Sequence, residues 1–136
     1  MNIFVYGTLL EGLARGEAAR LRTGIGPGKP ASVAGELRLA EEEERGCYPL
    51  LVPGLAGRAY GEVIDCPDDP AWLDELDAYE GADYFRTAVS ALLADGSSLQ
   101  AQAYLYLGED FQAFPLIAHG DFARFVRESG CKVFGH

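Results

Sequence analysis

The chain has 136 residues, of which 21 are acidic and 11 are basic, so its formal net charge is -10. This length fits a single domain spanning 1–136, and a hydrophobic content of 49% is enough to bury a core. The acidic balance argues against nucleic acid and anionic membrane surfaces as partners, since both select basic patches, but a small anionic substrate can still be bound by backbone N–H groups.

The sequence gives no sign of a membrane segment or a metal site. No apolar run approaches the roughly 20 residues of a membrane-spanning helix, and we expect neither a signal peptide nor a membrane partner. Cys47, Cys66 and Cys131 are odd in number and widely spaced, which is typical of reduced thiols in a cytoplasmic protein. The two histidines, His119 and His136, are too few for the usual zinc ligand sets, so we predict no metal and no cofactor.

The first half of the chain alternates between predicted strands and glycine-rich turns. Residues 2–6 alternate in a way that predicts a strand covered on both faces. Residues 11–22 predict a short helix, whereas residues 23–30 are rich in glycine and proline and predict a loop. Residues 32–39 predict a further strand, and the run of glutamates at 41–44 predicts a solvated, mobile segment.

Two helices are predicted in the second half of the chain. Residues 69–81 carry an apolar stripe at helical spacing, with Asp69 as the N-cap and proline at the first helical position. Gly81 suits the position that ends a helix. Asp121 predicts the N-cap of a last helix, which Gly130 closes.

A hairpin and a buried strand complete the predicted elements. Residues 60–64 predict a buried strand, and residues 85–93 and 99–107 flank a strong hairpin turn at 95–97. In total the sequence predicts five or six strands and two or three helices. We therefore predict an α+β fold, in which a strongly curved mixed sheet or small β-barrel has helices packed outside it.

Glu80 is the residue whose position needs an explanation. It lies four residues after Leu76 and seven after Leu73, so it continues the apolar stripe of its helix. The helix C-terminus and partial burial both disfavour the ionised carboxylate, which raises its pKa toward a value useful for a general base. The alternative is a fraying end residue that points to water, since most glutamates are exposed.

Short motifs spread over nearly the whole chain resemble those of one protein family. They are Val5-Tyr6-Gly7-Thr8-Leu9-Leu10, Gly61-Glu62-Val63, Leu76-Asp77 with Glu80-Gly81, Tyr84 with Arg86, Ala103-Tyr104-Leu105-Tyr106 and Gly120-Asp121-Phe122. This combination is similar to the gamma-glutamylcyclotransferase-like superfamily, which includes gamma-glutamylcyclotransferases, gamma-glutamylamine cyclotransferases and the plant avirulence-induced-gene proteins.

The resemblance implies a small mixed β-barrel and an enzyme. The implied reaction releases 5-oxoproline and a free amine or amino acid from a gamma-glutamyl amide, by intramolecular attack of its α-amine. Glu80 matches the position of the family's general acid/base. At Gly7 the missing Cβ lets the backbone approach a ligand closely, unless this glycine only makes a turn. The implied substrate-binding residues are Tyr6, Gly7, Thr8, Leu9, Tyr84 and Tyr106.

Departures from the family pattern leave the leaving group open. The acidic run lengthens the segment before Tyr48-Pro49, and His119 stands where relatives often carry serine. Two other functions stay open: a non-catalytic module that binds a carboxylate metabolite, and a scaffold that contacts a partner through residues 41–44. Glu80 favours the enzyme, because a binder of anions gains nothing from a buried carboxylate. The oligomeric state, including a homodimer, is also open.

Overall fold

Five strands close into a barrel, and two more form a small separate sheet beside it. The computed structural model describes residues 1–54 and 56–134. In this part of the chain the strands are β1 (Asn2–Val5), β2 (Lys29–Ala34), β3 (Glu36–Glu42), β4 (Gly46–Val52), β5 (Arg58–Asp65), β6 (Tyr84–Leu93) and β7 (Ser98–Tyr106). The helices are α1 (Glu17–Leu21), α2 (Pro70–Glu80) and α3 (Phe122–Ser129), with a 3₁₀ turn at Phe111–Ala113.

The barrel is mixed, and β1 closes it. The strand order is β1-β5-β2-β6-β7, in which β1 runs antiparallel to β5 and parallel to β7. β6 and β7 form the predicted hairpin, paired from Tyr84 opposite Tyr106 to Leu92 opposite Ser98. Its turn is fixed by Asp95, which accepts a hydrogen bond of 2.8 Å from the Ser97 N–H. The predicted α+β barrel with outer helices is confirmed.

β1 separates two hydrophobic layers, as its alternation predicts. Phe4 faces the barrel interior, where it packs with residues such as Ala103 of β7. Ile3 and Val5 face outward into a second layer that the helices cover, and Leu76 of α2 is fully buried there. A strand with both faces buried therefore leads directly to the loop that the motifs single out.

The two predicted helices have the expected caps. Asp69 accepts a hydrogen bond of 3.0 Å from the Ala71 N–H at the start of α2. Asp121 accepts one of 3.1 Å from the Arg124 N–H at the start of α3, which Gly130 ends in the left-handed conformation. None of the helices in the described part of the chain is long and apolar enough to cross a membrane.

The region between residues 23 and 52 differs from the prediction. β2 begins at Lys29, inside the predicted loop, and residues 32–39 belong to two strands rather than one. The strands separate at Gly35, whose φ of 147° breaks the regular extended backbone. Glu41 and Glu42 are not part of a mobile segment but end β3, paired with Cys47 and Gly46 of β4. The pairing with β4 explains why these residues are ordered although they are acidic. Their side chains are exposed to solvent while their backbone is part of the strand ladder.

The expectation of three reduced thiols is wrong. Cys47 and Cys131 form a disulfide across 84 residues of sequence, and only Cys66 is a free, buried thiol among the described residues. The chain after α3 runs beside β4, where the Cys47 N–H donates to the Lys132 carbonyl at 2.7 Å. The Phe134 N–H donates in turn to the Cys47 carbonyl at 2.8 Å. His136 lies outside the described residues.

The disulfide is expected to stabilise the fold by constraining the unfolded chain. Cys131→Ser should lower the free energy of unfolding by about 2–4 kcal/mol, because the crosslink closes a long loop. Urea unfolding without reductant measures the difference. The same comparison in the presence of reductant is the control, since both proteins then lack the crosslink and should match. Equal stability without reductant would contradict the assignment.

Candidate active site

A cavity of about 230 Å³ opens where β1 ends. Its walls come from the end of β1 with the loop that follows it, the end of β3, the middle of β4, the segment from the end of α2 to the start of β6, β7, and the chain after α3. The first of these carries Tyr6, Gly7, Thr8 and Leu9, all of which line the cavity. The predicted pocket loop therefore lines this cavity.

Contacts with β4, β7 and α2 fix the loop after β1. The Tyr6 hydroxyl donates to the backbone carbonyl of Tyr104, and the Thr8 and Tyr79 hydroxyls share a hydrogen bond of 2.7 Å. A Cβ at Gly7 would lie 2.6 Å from Cγ of Pro49, so this glycine lets the loop pack against β4. Within the described residues, no group accepts a hydrogen bond from the N–H groups of Gly7, Thr8 and Leu9.

A buried ion pair supports the same loop from behind. Arg22 donates from Nη1 to the Leu9 carbonyl at 2.8 Å and to the Glu62 carboxylate at 2.6 Å. Glu62 also accepts a hydrogen bond of 3.2 Å from the Glu11 N–H. Because both side chains are largely buried, removing either one would leave an unpaired charge inside the protein. Glu62 lies in the Gly61-Glu62-Val63 motif, whereas nothing in the sequence singled out Arg22.

Asp77 anchors α2 to the outer face of the barrel. Its carboxylate accepts hydrogen bonds from Arg86 at 3.0 and 3.3 Å and from the Tyr104 hydroxyl at 2.6 Å. Arg86 is also bonded to the Gln102 side chain at 2.8 Å. Burial opposes ionisation of Asp77, but the bonds from Arg86 and Tyr104 outweigh it and lower the pKa of the carboxyl group. The carboxylate is therefore ionised at neutral pH.

Glu80 lies one turn beyond Leu76, at the end of α2, and lines the cavity. No described residue donates a hydrogen bond to its carboxyl group. Burial, followed by the nearby negative charge of Asp77, raises the pKa of Glu80 from 4.5 to about 8. The apolar-stripe interpretation fits this position, whereas the alternative of a fraying end in water does not.

A known protein family matches most of this chain. The family described as "Gamma-glutamyl cyclotransferase, AIG2-like" matches residues 3–124. The chain belongs to this family. No curated protein matches the sequence.

Solved structures share the fold of this family member. YkqA from Bacillus subtilis aligns with a TM-score of 0.71 and 23% identity, over 95% of this chain and 42% of YkqA. The chain thus spans less than half the length of that relative. PH0828 from Pyrococcus horikoshii aligns with a TM-score of 0.66 and 22% identity, over 96% of both chains. An AIG2-like protein from Mus musculus aligns with a TM-score of 0.65 and 25% identity, over 89% of this chain and 86% of that one.

Of Tyr84 and Tyr106, the two tyrosines after β5 that the family resemblance assigned to substrate binding, only Tyr84 is among the described lining residues of the cavity. Tyr84 lines the cavity, but its hydroxyl donates to the Pro49 carbonyl at 2.8 Å and does not bond to Glu80. Tyr106 is not among the described residues that line the cavity, so its assignment as a substrate-binding residue stays a prediction from the family resemblance. Its hydroxyl donates to the Asp110 carboxylate and its ring packs edge-on against Phe114.

Several cavity residues were not predicted from the sequence. Tyr104, two residues before Tyr106 on the same face of β7, lines the cavity instead. Tyr79 and Phe134 also line it, and so does Asp83 in the turn before β6. The repeated tyrosines of the Ala103-Tyr104-Leu105-Tyr106 motif were a usable signal for Tyr104. No comparable signal marked Phe134, which reaches the cavity through the disulfide-linked segment.

The stability of this family member should depend on pH through Glu80. Folded Glu80 keeps its proton to about pH 8, whereas an unfolded glutamate loses it near 4.5, so stability falls as the pH rises between these values. The glutamine of Glu80→Gln cannot titrate, so the free energy of unfolding of this variant does not fall in the same way. Relative to the wild type, it should rise by up to about 1.4 kcal/mol for each pH unit in this window. Denaturant unfolding at several pH values measures the difference.

The exposed Glu75 of the same helix provides the matched control. Glu75→Gln should differ from the wild type by an amount that changes little with pH, because an exposed ion pair contributes little. A Glu80→Gln difference that is independent of pH would contradict the raised pKa.

Proposed function

We propose that the protein is a cyclotransferase that acts on gamma-glutamyl amides. The substrate's α-amine nitrogen attacks its own γ-carbonyl carbon, a new C–N bond closes the five-membered ring, and the original amide C–N bond breaks. The products are 5-oxoproline and a free amine. The observation that carries this proposal is the Glu80 carboxyl group, held in the cavity with a pKa of about 8 beside a loop of unbonded N–H groups.

The reaction needs a proton carrier rather than a protein nucleophile. Because the attacking amine belongs to the substrate, the enzyme has only to fold it, remove the ammonium proton and return a proton to the leaving nitrogen. Glu80 performs both transfers in this proposal. Its raised pKa brings it near the operating pH, where one group can both accept and donate a proton, and such transfers contribute about 10²–10⁴-fold.

The loop after β1 supplies the other requirement, which is partial positive charge. The N–H groups of Gly7, Thr8 and Leu9 bind either the α-carboxylate of the substrate or the oxyanion that develops at the γ-carbonyl. Neither role requires Lys or Arg, since backbone donors that are already in position stabilise anions well. The Arg22 contact to the Leu9 carbonyl keeps the loop in place before substrate arrives.

Loss of the Glu80 carboxyl group should abolish most of the activity. Purified wild-type protein is incubated with a panel of gamma-glutamyl amides and 5-oxoproline is measured by mass spectrometry. Glu80→Gln should lower kcat by about 10²–10⁴-fold, because the amide cannot carry a proton. Glu75→Gln, which changes an exposed carboxylate on the same helix, is expected to retain wild-type turnover.

Two results would count against the enzyme. Turnover by Glu80→Gln at the wild-type rate would remove Glu80 from the reaction. Binding of 5-oxoproline or glutamate to both proteins, without turnover of any amide by either, would favour the non-catalytic binding module instead.

The pH dependence of kcat/KM should report the influence of Asp77 on Glu80. In the wild type kcat/KM should rise with pH up to about 8, since the base must be ionised to accept a proton. Asp77→Asn removes the negative charge that helps to raise the pKa of Glu80, so the rise should move to lower pH. Titration of the substrate's own ammonium is identical for both proteins and cancels from the comparison.

Asp74→Asn, an exposed change on the same helix, is the control for the pH profile and should leave its midpoint in place. An unchanged midpoint in Asp77→Asn would show that the charge of Asp77 does not contribute to the pKa of Glu80.

A further inference from the structure

We infer that the leaving group of the substrate carries a second positive charge, as in a gamma-glutamyl amide of a diamine or polyamine, and carries no carboxylate. This inference rests on the proposed function and concerns the outer part of the same cavity. It distinguishes an amine product from the amino acids and peptides that would also leave from a gamma-glutamyl amide.

The ionisable Asp, Glu, Lys, Arg and His side chains that line the cavity in the described part of the chain are all acidic. Three carboxyl side chains line it, from Glu42, Glu80 and Asp83, and no Lys, Arg or His does so among the lining residues that the structure describes. Glu80 is the inner group, whereas Glu42 and Asp83 are exposed and therefore lie at the cavity mouth. A leaving group that extends from Glu80 toward solvent passes these two carboxylates.

The two outer carboxylates act on one aromatic side chain. Burial, and then the charges of Glu42 and Asp83, raise the pKa of the Tyr48 hydroxyl. Tyr48 packs edge-on against Phe134, with ring centroids 5.2 Å apart, and both rings line the cavity. An ammonium group gains from carboxylates and from aromatic faces alike, whereas a carboxylate gains from neither.

Nearby cations do not cancel this negative field. Arg45 approaches Glu42 at 3.8 Å, but both side chains are exposed, and such a pair contributes little. Arg86 is held by Asp77 and Gln102 on the barrel surface beneath α2. Asp83 makes no ion pair with any residue in the described ranges. The mouth therefore keeps its negative charge.

The two halves of the substrate meet different chemistry. The gamma-glutamyl half has one ammonium and one carboxylate, which fit Glu80 and the N–H groups of the loop 6–9 in the proposed reaction. The outer part of the cavity offers the leaving half the carboxylates of Glu42 and Asp83 and the rings of Tyr48 and Phe134, with no cationic side chain among the described lining residues. A carboxylate on this half, as in a gamma-glutamyl amino acid or glutathione, would be repelled.

Three substrates that differ only at the far end of the leaving group test the inference. Each has the gamma-glutamyl amide and the same chain of methylenes, ending in ammonium (the amide of 1,4-diaminobutane), methyl (of n-pentylamine) or carboxylate (of 5-aminopentanoic acid). We expect kcat/KM to fall by about tenfold from ammonium to methyl and again from methyl to carboxylate.

A matched pair of double variants separates local charge from total charge. Glu42→Gln with Asp83→Asn should bring the three substrates within about threefold of one another, since both outer charges are lost. The control is Glu43→Gln with Glu44→Gln, which removes two negative charges next to Glu42 from side chains that do not line the cavity. This variant should keep the wild-type order of kcat/KM for the three substrates.

The outcomes distinguish this inference from the proposed function. Production of 5-oxoproline from all three substrates at equal kcat/KM, or a preference for the carboxylate, overturns the inference and leaves the cyclotransferase standing. If no substrate yields 5-oxoproline, the proposed function fails. Calorimetric binding of the same three compounds to Glu80→Gln then decides: tighter binding of the ammonium compound supports the charged subsite, and equal binding overturns it.

Discussion

The hydrogen bonds that Asp77 accepts from Arg86 and Tyr104 hold the candidate site together. They fix the last turns of α2 on the β6–β7 face, next to the buried Leu76. A helix end would otherwise fray, and Glu80 would then be solvated with an ordinary pKa. The same Asp77 charge also contributes to the raised pKa of Glu80. Position and proton affinity of the candidate base therefore depend on one carboxylate that itself stays ionised.

The other walls of the cavity depend on contacts made far from Glu80. The buried pair of Arg22 and Glu62 supports the loop after β1, and the Cys47–Cys131 disulfide brings the chain after α3 alongside β4. Such contacts favour a rigid loop, and rigidity matters because backbone donors stabilise an anion best when they need not reorganise. A protonated Glu80 without a hydrogen-bond donor lowers the free energy of unfolding at neutral pH. The ion pair and the disulfide offset this loss of stability.

Local signals in the sequence were enough for α2, α3, the β6–β7 hairpin and the position of Glu80 at the end of α2. The cap at Asp69 and the apolar stripe define α2, and that stripe carries Glu80 to the cavity. The features that the sequence did not predict depend on contacts between distant parts of the chain, which local signals do not encode. Alternation puts Tyr104 and Tyr106 on one face of β7, but it does not tell which of the two lines the cavity, and in the structure Tyr104 does. The disulfide joins residues 84 positions apart, and no spacing rule links them.

The net charge of -10 and the cavity lining impose one further constraint. With no cationic side chain among the described lining residues, backbone N–H groups are the source of positive potential for any anionic part of a ligand. Such groups act over short distances, so they can hold one carboxylate that reaches the loop but cannot offset a second one at the mouth. In the proposed reaction, the substrate would therefore carry its negative charge at the inner end and none at the outer end. The packing of Gly7 against Pro49 matters for that reason, since it sets where those N–H groups lie.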